Sequence, residues 1–415
     1  MTHIALHLLV FTLFLSACSD MKQSVQKLED GTVRLGALLS YTGPLSRYSR
    51  GIWYGGKLAV QEINAQGGVD GKPLELILAD DKLNPAAAEA GAVELRDLGV
   101  QGVLGSVASS ITMLSAEKVF TPAGIPLISA SSTSPKISTL DDKDTVWRTA
   151  ASDAYQGEFL ATKVFADGSR KAAVIFINNA YGSGLAERFA EVYKSLGGTV
   201  VQKVAYPSDK DKDFGAEVAQ ALTGLQAGDA LMIFGYVTDT ANIGNALDAA
   251  SPLDIKYWGC DGNFGTAIVE LSSLNFLRRL RGSNARPASG ERYEIFRDTF
   301  EKGTGRSVEA YSSQAYDAVY LMALAMAQAG TPTSEGIIQN LRKVSGSGGT
   351  KVYPNEFAKA VQLIKAATPI DYSGVSGEVD FDSNGDITID PSALDKFYYV
   401  WQLNSASSAF EEVMP

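Results

Sequence analysis

Histidine and cysteine are nearly missing from this 415-residue chain, which has two of each. Both histidines, His3 and His7, fall within or beside the apolar stretch Ile4–Leu15, "IALHLLVFTLFL", at the N-terminus. If that stretch is removed on export, the remaining chain has no imidazole. Ser-His and Cys-His catalysis is then excluded, and so are histidine metal ligands. The cysteines, Cys18 and Cys260, are too few and too far apart for a zinc cluster. Basic residues are also scarce: 36 Lys and Arg against 47 Asp and Glu leave a formal charge of −11. No Lys/Arg cluster stands out, so phosphate neutralisation, and with it a nucleic-acid partner, is not expected. No apolar run reaches the ~20 residues of a bilayer span, and no Gly-Lys phosphate loop is present. No cofactor is implied.

What is present begins with a processing signal. The apolar stretch is followed by "LSAC" (Leu15–Cys18), a small-residue cleavage site that resembles a bacterial lipobox, in which the peptidase cuts before a diacylated cysteine. Residues 1–17 are therefore expected to be a signal peptide and Cys18 the lipidation site. The polar segment "SDMKQSVQKLED" would complete a tether over 18–30. One feature departs from the pattern, since no Lys or Arg precedes the apolar run. With Cys18 lipidated, Cys260 has no partner for an intrachain disulfide and is expected to be a small buried side chain.

Beyond the tether, short apolar runs alternate with amphipathic segments. "VRLGALLS" reads as a strand, "GIWYGGKLAVQEINAQ" as a helix and "LELILAD" as a strand. "PAAAEAGAVELRDLG" is a helix with Asn84 as N-cap and Pro85 in its first turn, and "GVLG" and "IPLIS" are further strands. The rhythm restarts after Thr149 with a helix from about Tyr155, then "AAVIFIN", "TVVQKVAY", "ALMIFG" and "IKYWGC" as strands separated by helices. This alternation predicts an α/β fold of two doubly wound parallel-sheet lobes joined by crossover segments. The expected division gives the N-terminal lobe 31–148 and about 278–372, and the C-terminal lobe 149–277 and about 373–415. "RGSNARPASGER" (281–292) and "VSGSGGT" (344–350) read as loops, and "SGEVDFDSNGDI" as strand, Asn-Gly turn, strand.

Ligands on such sheets bind beyond the carboxyl ends of the strands. The junctions of interest are "SYTGPLSRYSRG", "GSVASSITMLSA", "SASSTSP", "NNAYGSG", "FGYVTD" and "WGCDGNFG", the last carrying a lone carboxylate, Asp261. The serines of "GSVASS" suit an anion at a helix start and equally suit helix capping. Tyr181 and Tyr236 could fill an interface, and Asp261 could shape a local Asp-Gly turn.

"GPLSRYSRGIWYGGKLAVQEINAQGGVDGKPLELILAD", "YGSGLAERF" and "SSQAYDAVYLMALA" carry a resemblance that bears on these alternatives. Over about Val33–Leu403 the chain resembles the leucine-binding family, the type I periplasmic solute-binding proteins of ABC transporters for branched-chain amino acids. That resemblance implies binding without chemistry. Ser109, Ser131 and Thr133 match positions that grip the ligand's carboxylate, and Asp261 matches the one that holds its ammonium. Tyr181 and Tyr236 match aromatic positions that close over the ligand, while Tyr48 and Trp53 are candidates for its side-chain pocket. Ser106, Ser110 and Thr112 are left to capping and packing. The resemblance further implies an amino-acid ligand, an ABC permease in the inner membrane as partner, a monomeric state and a periplasmic, lipid-anchored location. A sensing role, or binding of amides, urea or aromatic acids, is the alternative. The first-lobe disulfide common in the family is absent here, Lys82 and Ala108 standing in the corresponding region. No role transfers to 281–292 or 352–366.

Overall fold

A computed structural model describes residues 31–250, 254–346, 348–404 and 409–413. The expected signal peptide, Cys18 and the tether lie outside the described residues. Two parallel sheets carry the fold. The first contains β1 (Val33–Leu39), β2 (Leu74–Asp80), β3 (Gly102–Gly105), β4 (Leu127–Ser129) and β5 (Val146–Arg148) in the order β2-β1-β3-β4-β5. The second is built on β6 (Lys171–Ile177), β7 (Thr199–Tyr206), β8 (Ala230–Phe234), β9 (Lys256–Gly259) and β10 (Leu280–Ala285). A small parallel pair, β11 (Thr350–Val352) and β12 (Ile370–Tyr372), follows. The chain then returns to add β13 (Tyr398–Asn404) and β14 (Ala409–Val413) antiparallel on one edge, giving β14-β13-β10-β9-β8-β6-β7.

Local sequence accounts for most of these elements. Asn84 caps the helix Pro85–Asp97 as expected, its side chain accepting from the amides of Ala86 and Ala87. Strands such as "AAVIFI" are buried on both faces, as parallel strands covered by helices must be. The helix Ser312–Ala329 buries nearly its whole circumference between the helices Ser46–Ala65, Ser334–Ser345 and Phe357–Lys365, and Tyr316, Val319 and Met322 join the first lobe's core. That burial explains why it is apolar all round.

Two segments differ from expectation. Leu280–Ala285, "LRGSNA", is not a loop of the first lobe but a strand of the second sheet, where β9 and β13 supply hydrogen bonds on both sides. Val375, Val379 and Phe381 pack into the first lobe's core, not the second's. The chain therefore changes lobe near 149–152, 286–290 and 388–397, later than the boundaries expected at 278 and 372. In "SGEVDFDSNGDI" the Asn384–Gly385 turn forms, with Gly385 at φ +75°, but it is flanked by single antiparallel bridges such as Phe381 to Ile387, not by full strands. Among the described residues no helix is long and apolar enough to cross a membrane.

Candidate functional site

Six strand ends converge between the lobes. The first lobe presents Leu45 and Tyr48 beyond β1, Val107, Ala108 and Ser109 beyond β3, and Ser131 and Thr133 beyond β4. The second presents Tyr181 beyond β6, Tyr236 beyond β8, and Asp261 and Gly262 beyond β9. With Tyr311 they enclose a cavity of about 40 Å³. Ser109, Ser131, Thr133, Tyr181, Tyr236, Asp261 and Tyr48 thus share one enclosure. Trp53 does not: it packs against the first lobe's core with the Lys57 ammonium 5.4 Å from its ring centre.

The hydroxyls differ in what they offer. Each has one proton to donate. Ser131 Oγ gives its own to the Val107 carbonyl at 3.1 Å, and Thr133 Oγ1 gives its own to Asp153 Oδ2 at 2.8 Å. Ser109 Oγ accepts from the Ser134 amide at 3.2 Å, which leaves its proton for the cavity. It does not cap its helix; Ala108 holds the N-cap position, with no side-chain hydrogen bond. Thr112 packs as expected, against Ser106 N at 3.0 Å and Ser132 Oγ at 2.8 Å.

The opposite wall is acidic. Asp261 Oδ1 accepts from Tyr181 Oη and Asp261 Oδ2 from Tyr311 Oη, each at 2.7 Å. Tyr181 Oη also accepts from the Gly262 amide at 3.1 Å. Only glycine fits at 262, since a Cβ there would stand 2.5 Å from the Gly235 carbonyl oxygen. The Tyr181 and Tyr236 rings stack 5.6 Å apart at 7°. Tyr48 Oη donates to the Phe264 carbonyl across the cleft at 3.1 Å. Burial, reinforced by the Asp261 charge, holds the phenols of Tyr48, Tyr181 and Tyr311 above the usual tyrosine range, so they remain neutral donors. Tyr236 is raised by burial as well. Cys260, fully buried behind Tyr181, has its thiol pushed up by burial and by Asp261.

Sequence reasoning missed Tyr311, Asp153 and Gln156. Tyr311 opens the apolar helix in a left-handed conformation, φ +68°, that a bulky side chain rarely adopts and that no sequence pattern announces. Asp153 and Gln156 lie in the first turns of the helix Asp153–Ala166, both buried. Gln156, with its amide oriented to satisfy its neighbours, donates to Asp153 Oδ1 at 2.9 Å and Asp261 Oδ1 at 3.0 Å. Beyond Asp261 the cleft widens into a second chamber of about 380 Å³, which shares Thr133, Asp261 and Tyr311 with the first. Elsewhere, Asp371, Glu378 and Asp380 come close enough to hold an ion, but the Lys351 ammonium already sits 2.9 Å from Asp371 and 2.6 Å from Glu378.

A cleft between two doubly wound lobes, with a hydroxyl donor on one wall and a carboxylate on the other and neither histidine nor a reactive thiol, defines a solute-binding protein of the two-lobe, hinge-closing class. The chain belongs to the periplasmic binding protein family, whose profile matches residues 32–386; it binds a solute and is not an enzyme. Among its relatives is the leucine-, isoleucine-, valine-, threonine- and alanine-binding protein of Pseudomonas aeruginosa, 27% identical over 75% of this chain and 82% of that one. The chemotactic signal transduction system substrate-binding protein BasB of Halobacterium salinarum is 27% identical over 84% of this chain and 83% of its own. The fold matches the leucine-binding protein LivK of Thermotoga maritima, with TM-score 0.74 at 23% identity over 92% of this chain and 99% of that one. It also matches LivJ of Streptococcus pneumoniae in complex with isoleucine, with TM-score 0.72 at 24% identity over 92% and 100%.

Proposed function

We propose that this protein captures an amino acid, branched-chain or of similar small size, between its lobes and delivers it to an ABC permease in the membrane. The observation that carries the reading is the polarity of the cavity: Ser109 brings a free hydroxyl proton to one wall, and Asp261 brings a carboxylate to the other. An α-carboxylate pairs with the first and an α-ammonium with the second, through charge-assisted hydrogen bonds. Ser131 serves as a supporting wall, its proton already committed. Thr133 Oγ1 spends its proton on Asp153, so its hydroxyl oxygen is left as an acceptor suited to the ammonium side of such a ligand. Tyr48, Tyr181, Tyr236 and Tyr311 close over the ligand as the lobes rotate about the three crossovers. Lipidation at Cys18 would hold the protein, as a monomer, at the extracytoplasmic membrane surface.

A thermal-shift screen of amino acids, amides, urea and aromatic carboxylates, followed by calorimetry, tests the reading. Amino acids should raise the melting temperature most; stabilisation by carboxylates alone, with none by amino acids, would overturn it. A second reading, ligand sensing for a receptor, is favoured by the likeness to BasB. Stable association of the liganded protein with a receptor instead of a permease would select it.

A further inference from the structure

The two ends of the ligand cavity are unlike. Ser109 lines the small chamber only, as do Leu45, Val107 and Ala108, whereas Asp261, Thr133 and Tyr311 line both that chamber and the one of about 380 Å³ behind it. An amino acid held by its carboxylate at Ser109 and by its nitrogen at Asp261 therefore keeps its side chain beside the apolar residues and brings its nitrogen to the junction. The larger chamber has the size of a small-molecule site, about 300–1,000 Å³. It exists because its walls are built from small residues: Ala150 and Ala151 of the first crossover, Ala288 of the second, and Gly374 and Gly377.

Hydrogen bonding at the junction points the same way. Asp261 Oδ1 already accepts from Tyr181 Oη and from the Gln156 amide, and Asp261 Oδ2 accepts from Tyr311 Oη. Thr133 Oγ1 has given its proton to Asp153 and keeps its lone pairs. Asp261 Oδ2 and Thr133 Oγ1 can thus take two N–H donors, the number that a secondary ammonium carries, where a primary one carries three. The third position on the nitrogen is left to the larger chamber.

We propose that this site accepts amino acids alkylated on nitrogen, with the alkyl group lodged in the larger chamber and the protonated nitrogen still opposite Asp261. This rests on the amino-acid reading above and extends it from primary to secondary ammonium ligands. A pocket wrapped tightly round all three N–H groups rejects an added methyl, through overlap and through the acceptor left unpaired. Acylated amino acids are refused here for another reason: an amide nitrogen carries no charge to set against Asp261.

The test screens leucine, isoleucine, valine and alanine, and the N-methyl form of each, by thermal shift. The tightest parent then goes to calorimetry with its N-methyl, N-ethyl and N-acetyl derivatives. The expected result is N-methyl and N-ethyl forms within threefold of the parent or tighter, and the N-acetyl form at least tenfold weaker. Ala151→Leu, and Ala288→Leu as a second variant, narrow the larger chamber without lining the smaller one. The N-ethyl form should lose at least fivefold in a folded variant while the parent is unchanged. A tenfold loss for the N-methyl form on the unsubstituted protein would overturn the proposal and leave the amino-acid reading standing. Equal binding of the N-acetyl form, or N-ethyl binding that both variants leave unchanged or weaken no more than they weaken the parent, would also overturn it. Binding of N-methyl forms alone would support it, and binding of none of the eight would remove both readings.

Discussion

Arg148 and Asp386 form a two-pronged ion pair in the interior, Nε to Oδ1 at 2.5 Å and Nη2 to Oδ2 at 2.7 Å, with the Arg148 side chain fully buried. The remaining guanidinium nitrogen, Nη1, donates to the Ser134 carbonyl at 2.8 Å and the Ser132 carbonyl at 3.4 Å, on either side of Thr133. The pair thus joins the end of β5 and the Asn-Gly turn to the ligand-facing loop.

Breaking that pair is predicted to cost stability and binding together. Asp386→Ala leaves a buried guanidinium without its carboxylate, a change worth about 3–5 kcal/mol. Urea denaturation should show a loss of that order, and calorimetry on the folded fraction a weaker ligand affinity. A loss below about 1 kcal/mol would mean that the loop is held by other means.

Asp261→Ala is predicted to weaken amino-acid binding by about 3–5 kcal/mol, because it strips one partner from a buried charge pair. Titration with leucine, isoleucine, valine and alanine measures it; an unchanged dissociation constant would remove Asp261 from the site.

Ser109 and Ser131 should separate in a parallel comparison. Ser109→Ala removes a donor whose proton is free and should cost about 1.5–3 kcal/mol of affinity, the range for a hydrogen bond to a charged group. Ser131→Ala removes a hydroxyl already bonded to Val107 and should cost clearly less. The reverse ranking would contradict the assignment of donors.

The pH dependence of stability should carry the mark of Asp317. Burial pushes its carboxyl up to about 6, against the pull of hydrogen bonds from Ser376, Tyr372 and Val375. The folded protein therefore binds this proton more tightly than the unfolded chain does, whose carboxyl titrates near 3.8. The stabilising contribution is complete below about pH 4, is lost as pH rises to about 6, and stays flat above that, a change of about 3 kcal/mol. Glu62, Asp81 and Asp239 are raised by burial too and add in the same direction. Denaturation free energies at pH 4, 5, 6 and 7 should fall accordingly, and Asp317→Asn should flatten the curve; a rise from pH 4 to 6 would contradict the assignment.

The sheets and six strand ends were legible because parallel strands covered on both faces leave continuous apolar runs, and polar residues at their carboxyl ends stand out against them. The junction stretches could be located for that reason, and the resemblance to the leucine-binding family singled out Ser109, Thr133 and Asp261 within them. Tyr311 could not, because its position depends on a left-handed backbone stabilised by neighbours distant in sequence. Asp153 looked like an ordinary first-turn acid until folding brought Thr133 and Asp261 to it. β10 escaped because "LRGSNA" has no alternation of its own; its extended form is imposed by the strands on each side. The Arg148–Asp386 pair spans 238 residues, a separation at which a single sequence holds no trace of contact.

Cys260 is fully buried, and its thiol is held protonated behind Tyr181. A chain begun after Cys18 would therefore present no reactive sulfur while folded. A single cysteine engineered on the rim of either lobe could be labelled selectively with a maleimide dye, and lobe rotation could then be read as a change in fluorescence. The scaffold is in this sense ready to become a reagentless optical sensor for its own ligand.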